Sequence, residues 1–192
     1  MGSLADLSQP EKPVVVTLSP STQPQRIIGR VSPSAPATIQ EFRGIPYGTV
    51  PGRWRHSILR TSLPSDVFYA TKNGYVSLNS ASCFFTWSLI VEARPQCPQP
   101  DLFANSKTYQ SHLDWPTDVG ESEFDCLNLF IVRPSPAALA EAGFDANTVQ
   151  LPVYVNIHGG GFGFGAGTDP MWGTACPSRR LSREKIHGLT LI

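Results

Sequence analysis

The segment Leu151-Pro152-Val153-Tyr154-Val155-Asn156-Ile157 runs without a break into His158-Gly159-Gly160-Gly161-Phe162-Gly163, and no other feature limits the possible folds more. Its β-branched and aromatic residues predict a strand. Its nearly continuous apolar character is that of a strand covered on both faces, the habit of α/β sheets. Three consecutive glycines then let backbone N–H groups turn toward a common point, because no Cβ forbids the dihedrals. Two such donors can hold an oxygen that becomes negative when a carbonyl is attacked. The carboxyl end of a central strand is also where α/β sheets bind ligands. Two other readings compete. One is a plain glycine turn. The other is a dinucleotide fingerprint at Gly161-Phe162-Gly163-Phe164-Gly165-Ala166, which needs a following helix. Pro170 and Gly173 break that helix where it would begin.

The rest of the chain reads as β structure between breakers. Val14–Leu18, Arg26–Val31 and the alternating Thr38–Arg43 predict a small antiparallel ribbon. Gly44–Gly48 and Val50–Gly52 are expected to end it in a long loop, since Pro cannot donate to a ladder. From Arg53 to Pro116 no period persists, though the apolar run at 83–91 has the composition of a buried strand. Asp114 to Asp125 holds five carboxylates and no Lys or Arg, and reads as an exposed acidic loop rather than a catalytic carboxylate pair. A strand at Cys126–Val132 precedes a two-turn helix at 135–143, with Ser135 as N-cap, Pro136 at the first helical position and Gly143 as the stop.

Composition excludes several classes. The 192 residues suffice for one domain with a sizeable core. Ten Phe and only 16% charged residues argue against general disorder. Lys plus Arg and Asp plus Glu balance at 15 each, so no overall field recruits nucleic acid or an anionic membrane. The four cysteines have no zinc-ligand spacing. Met1–Pro13 lacks the pattern of a secretory signal, and the most apolar window spans nine residues against the ~20 that cross a bilayer. A soluble chain of undecided compartment is expected.

Four motifs in order carry a resemblance. Phe42-Arg43-Gly44-Ile45-Pro46-Tyr47-Gly48, Cys97-Pro98-Gln99, Glu123-Phe124-Asp125-Cys126-Leu127-Asn128-Leu129 and Pro152–Phe162 together resemble the type-B carboxylesterase/lipase family, the cholinesterase-like branch of the α/β-hydrolases. His158-Gly159-Gly160-Gly161 matches the oxyanion-loop pattern of lipases and esterases. The resemblance covers roughly residues 14–74 and 94–172. It implies the N-terminal part of an α/β-hydrolase fold, incomplete, with an antiparallel ribbon and the first strands of the central sheet. It implies an ester hydrolase working through an acyl-enzyme on a small-molecule carboxylic ester, without metal or cofactor, in a family often secreted. Gly160 and Gly161 would donate to the oxyanion, and Cys97 and Cys126 would form a disulfide. His158 would orient the loop rather than act as the base.

Other segments depart from that pattern. The nucleophile motif G-x-S-x-G is absent from these residues, and with it the acid and base that follow it in this fold. The chain therefore reads as a portion, 1–172, interrupted by a non-family insert at about 75–93 and followed by a non-family tail at 173–192. A retained intron and then a frameshift would leave such segments. Cys83 and Cys176 lie in them and are expected to stay free. A non-catalytic cholinesterase-like binding or adhesion protein is the alternative. Phe124 stands where the family has an acidic residue before Asp125, leaving Glu123 to pair with Arg53 or Arg55. Strand 151–157 would lack its covering neighbours and favour association.

Overall fold

The computed structural model describes residues 13–18, 24–32, 38–71, 95–100, 111, 120–161, 163–167 and 189–191. Within them the protein is mostly antiparallel sheet, with one short helix. The strands are β1 (Val14–Leu18), β2 (Gln25–Val31), β3 (Ile39–Pro46), β4 (Gly48–Thr49), β5 (Ile58–Leu59), β6 (Val67–Tyr69), β7 (Asn128–Pro134), β8 (Val153–Val155) and β9 (Leu189–Leu191). The helix, α1, is Pro136–Glu141. The main sheet runs β1-β2-β3-β7-β9-β8, with β6 joining at β2.

The ribbon forms as its alternation requires. In β1, Val14, Val16 and Leu18 turn half-buried toward the core while Val15 and Thr17 face out. β2 lies antiparallel to β1, pairing Val14 with Gly29 and Leu18 with Gln25. The other edge of β2 is divided. Arg30 and Val31 pair antiparallel with Glu41 and Gln40 of β3, whereas Arg26–Ile28 pair parallel with β6. Ala70 closes the gap, donating to the Ile28 carbonyl at 2.7 Å and accepting from Arg43 N–H at 2.8 Å.

The ribbon does not stop at Gly44 as the breakers suggested. β3 continues to Pro46 through a register shift between Phe42 and Ile45, where Gly44 takes φ +64°. A bulge absorbs the residue that would otherwise misalign the ladder. Pro46 then occupies the last pairing position, opposite Asn128, where a missing donor costs least.

The core gathers under this junction. Ile27, Phe42, Ile45, Phe68 and Ala70 are buried together, flanked by Leu63, Leu129 and Ile131. Phe68 comes from β6, within the stretch without periodicity, and burying it contributes about 1.5–3 kcal/mol. Beside the core, Glu41 is fully buried with Arg30 and Arg43 at 3.1 and 2.8 Å. Arg133 of β7 lies over the Phe42 ring and donates to Gln40 at 2.9 Å. Burial pushes the Arg133 guanidinium below its usual pKa range.

β7 leads into α1 as expected, its start two residues later than predicted. The Ser135 hydroxyl accepts from Ala138 N–H at 3.1 Å, Pro136 opens the helix, and Gly143 at φ +85° ends it. Asp145 then caps a turn through the Asn147 N–H and the Thr148 hydroxyl. Beyond it, β8 is only three residues long and pairs parallel with β9, which also lies antiparallel to β7. β9 falls within 173–192, the stretch expected to be a tail. Residues 75–93, expected to be an insert, with the apolar run at 83–91, Cys83 and Cys176, lie outside the described residues. No described helix is long and apolar enough to cross a membrane.

Candidate active site

β8 delivers the chain to the glycine loop at the end of the sheet. Its residues are exposed rather than covered: Val153 54%, Tyr154 64%, Val155 57%, and Ile157 beyond it 86%. The apolar run thus has the composition of a doubly covered strand without the cover. Asn156 is half-buried, and His158 is exposed with Nδ1 2.9 Å from its neighbour's carbonyl oxygen, at Gly159. A carbonyl only accepts, so Nδ1 carries the proton in that contact.

The loop owes its shape to its glycines. Gly160, Gly161 and Gly165 have φ of +138°, +59° and +105°. A Cβ at Gly160 would land on the Phe164 carbonyl, and one at Gly165 on the Gly159 carbonyl and the His158 ring. The loop is therefore folded back on itself, residue 160 against 164 and 159 against 165. The Gly160 carbonyl accepts from the Gly163 and Phe164 amides at 3.1 and 3.2 Å. The amides of Gly160 and Gly161 donate to no protein acceptor among the described residues. Gly161 is exposed and Gly160 half-buried.

A second segment reaches the loop from upstream. Cys97 and Cys126 are joined by a disulfide with their Cα atoms 5.0 Å apart. Gln96 N–H donates to the Gly120 carbonyl and its carbonyl accepts from Ser122 N–H, which lays 95–97 alongside 120–122. Two residues past the disulfide, Gln99 accepts from Gly165 N–H at 2.7 Å and sends its Nε2 toward the Gly165 carbonyl at 3.3 Å. Within Cys97-Pro98-Gln99 nothing in the sequence marks Gln99 for this contact. An amide side chain next to a cysteine carries no signal until its partner's backbone is known.

Of the five carboxylates in the acidic segment, Asp114 and Asp118 lie outside the described residues. Glu123 forms a two-pronged bridge with Arg53, at 2.6 and 2.5 Å, which selects Arg53 over Arg55. The hydrogen bond from Arg53 holds the Glu123 carboxyl below its usual range. Glu121 and Asp125 are exposed. His56 sits exposed in the turn before β5, while His112 and His187 lie outside the described residues. Among the described residues no cluster of three or more His, Cys, Asp or Glu could hold a metal ion.

Comparison with known proteins gives two findings. A profile of the Carboxylesterase family matches residues 17–179. The chain is also similar to a para-nitrobenzyl esterase of Bacillus subtilis (strain 168), 28% identical over 147 residues, which is 75% of this chain and 22% of that relative. The chain thus spans about a fifth of the length of the curated relative it matches.

Proposed function

Since the chain belongs to the carboxylesterase family, we propose that residues 158–161 are the oxyanion-binding loop of a carboxylic-ester hydrolase with an α/β-hydrolase fold. The observation that carries the reading is the pair of adjacent amides at Gly160 and Gly161, which have no protein acceptor among the described residues, at two glycines of positive φ. Two adjacent amides free to donate are the kind of group that can hold an anionic oxygen.

The chemistry follows from charge. When a serine alkoxide adds to an ester carbonyl, the C=O π electrons move onto oxygen and a tetrahedral oxyanion forms. Two fixed N–H donors stabilise that oxygen more than the neutral carbonyl. Each such donor is worth about 10²–10³ in rate. The nucleophile, its acid and its base are not among these 192 residues, which contain no G-x-S-x-G. The residues present supply the electrophilic half of the site alone, and the substrate class is a small-molecule carboxylic ester.

Two measurements test this. The purified 192-residue chain should neither turn over p-nitrophenyl acetate above buffer nor be labelled by a fluorophosphonate; stoichiometric labelling of a serine overturns the assignment of roles. Titration with methylphosphonate, a stable oxyanion, should move the Gly160 and Gly161 amide resonances together while Gly143 stays still. Equal movement at all three, or none at 160 and 161, overturns the loop's role.

A further inference from the structure

We propose that Gln99 is a positioning residue for the glycine loop. Its carboxamide clasps both backbone groups of Gly165 and so ties the amide pair at 160–161 to the disulfide-bonded segment 95–99. The proposal rests on the oxyanion reading of that pair for its functional meaning, though not for its geometry.

The side chain suits the task. A primary carboxamide can accept from one residue's N–H and donate to the same residue's carbonyl, which neither a carboxylate nor a hydroxyl does with this reach. Gln99 meets Gly165 in this way, at 2.7 and 3.3 Å, and is itself half-buried. Gly165 is also the residue whose position the loop cannot ignore. Its α-carbon is pressed so close to Gly159 and His158 that no Cβ fits between them. Gly160 is pressed in the same way on Phe164. Displacing Gly165 must therefore displace 158–160 or open a void between them.

The other end of the clasp is held as firmly. Cys97 is bonded to Cys126, Gln96 is paired on both sides with 120–122, and Asn128, the first residue of β7, donates to the Pro95 carbonyl at 3.4 Å. A continuous path of contacts runs from β7 through 95–99 to Gly165. Reducing the disulfide frees the base of Gln99 and is expected to loosen the clasp without touching the loop directly.

Amide exchange and resonance positions in the ¹⁵N-labelled full chain test this, with no ester or oxyanion present. Gln99→Ala should speed exchange at the Gly165 amide roughly five- to tenfold, the loss of a hydrogen bond or two, and move the Gly160 and Gly161 resonances. Gln99→Glu keeps the acceptor but turns a carboxylate oxygen toward the Gly165 and Cys97 carbonyls that Nε2 meets at 3.3 Å, so it should leave Gly165 less protected than the wild type does. Reduction with dithiothreitol should reproduce the Gln99→Ala pattern in the wild-type chain and add little in the variant. Unmoved Gly160 and Gly161 resonances in Gln99→Ala overturn the proposal. So does a Gln99→Glu variant that protects Gly165 as fully as glutamine does. If the clasp behaves as expected while methylphosphonate fails to move Gly160 and Gly161, the oxyanion reading falls and the clasp stands.

Discussion

Two ion pairs in this fold make opposite demands on the same chemistry, and replacing each glutamate by glutamine separates them. Glu41 is fully buried, against Arg30 and Arg43 side chains only 18% and 16% exposed. Glu41→Gln keeps the volume but deletes the charge that balances two guanidiniums with little water around them. Breaking a buried pair from one side costs about 3–5 kcal/mol. The arginines keep some solvent, so the lower end applies. At an m of about 2 kcal/mol/M, a loss of ~3 kcal/mol lowers the urea midpoint by roughly 1.5 M. Glu123 and Arg53 are closer together, at 2.5 and 2.6 Å, yet their side chains are 37% and 72% exposed. Water and salt screen that pair, so Glu123→Gln should leave the midpoint where it is. Equilibrium unfolding followed by tryptophan fluorescence, at submicromolar chain to suppress association, reads both. A Glu41→Gln shift under about 0.5 M, or a Glu123→Gln shift as large as that of Glu41→Gln, would refute the reasoning that burial rather than distance sets the cost.

Two further expectations follow. The Glu123 carboxyl is held low by its hydrogen bond from Arg53, and Asp145 by the Asn147 amide and then the Thr148 hydroxyl. A depressed folded pKa gives stability that is full above the unfolded carboxylate value and lost as pH falls through the folded one. Both groups are exposed, so any stability they lend is small and is lost only on the acid side, and a ¹³C-carboxyl titration placing either midpoint at or above the usual range contradicts this. Ile157 is 86% exposed beside the β8 edge, so Ile157→Lys should raise the monomer fraction in light scattering at little cost to folding. An unchanged fraction rules out that edge as the route of association.

What the sequence made legible is what local chemistry decides. Val14, Val16 and Leu18 alternate with Val15 and Thr17, so β1 and its inward face were readable from a period of two. Ser135, Pro136 and Gly143 each act within one helical turn of their own position, and α1 follows them. The glycine loop was legible as a loop, since only glycine suits Gly160 and Gly165. Elements that depend on distant partners were not. Val67–Tyr69 is too short to show a period, and it becomes a strand because Ile27 and Phe68 meet across 41 positions of chain. Gly44-Ile45-Pro46 looks like an end and is a bulge, because β7 continues alongside it. Gln99 owes its role to a backbone 66 residues away.

The place of β9 has a consequence for synthesis. Val153 of β8 pairs with Leu189, 36 positions later, and β9 stands between β8 and the rest of the sheet. β8 therefore has no docking partner when it leaves the ribosome. At ~5–20 residues per second, translation needs roughly 2–7 s to deliver β9. Throughout that interval both backbone edges of β8 are unpaired; β9 then takes one of them, while Val153, Tyr154, Val155 and Ile157 stay exposed. A holdase that recognises short apolar extended segments would find its target here, and the arrival of β9 removes one open edge from that target without removing its exposed side chains.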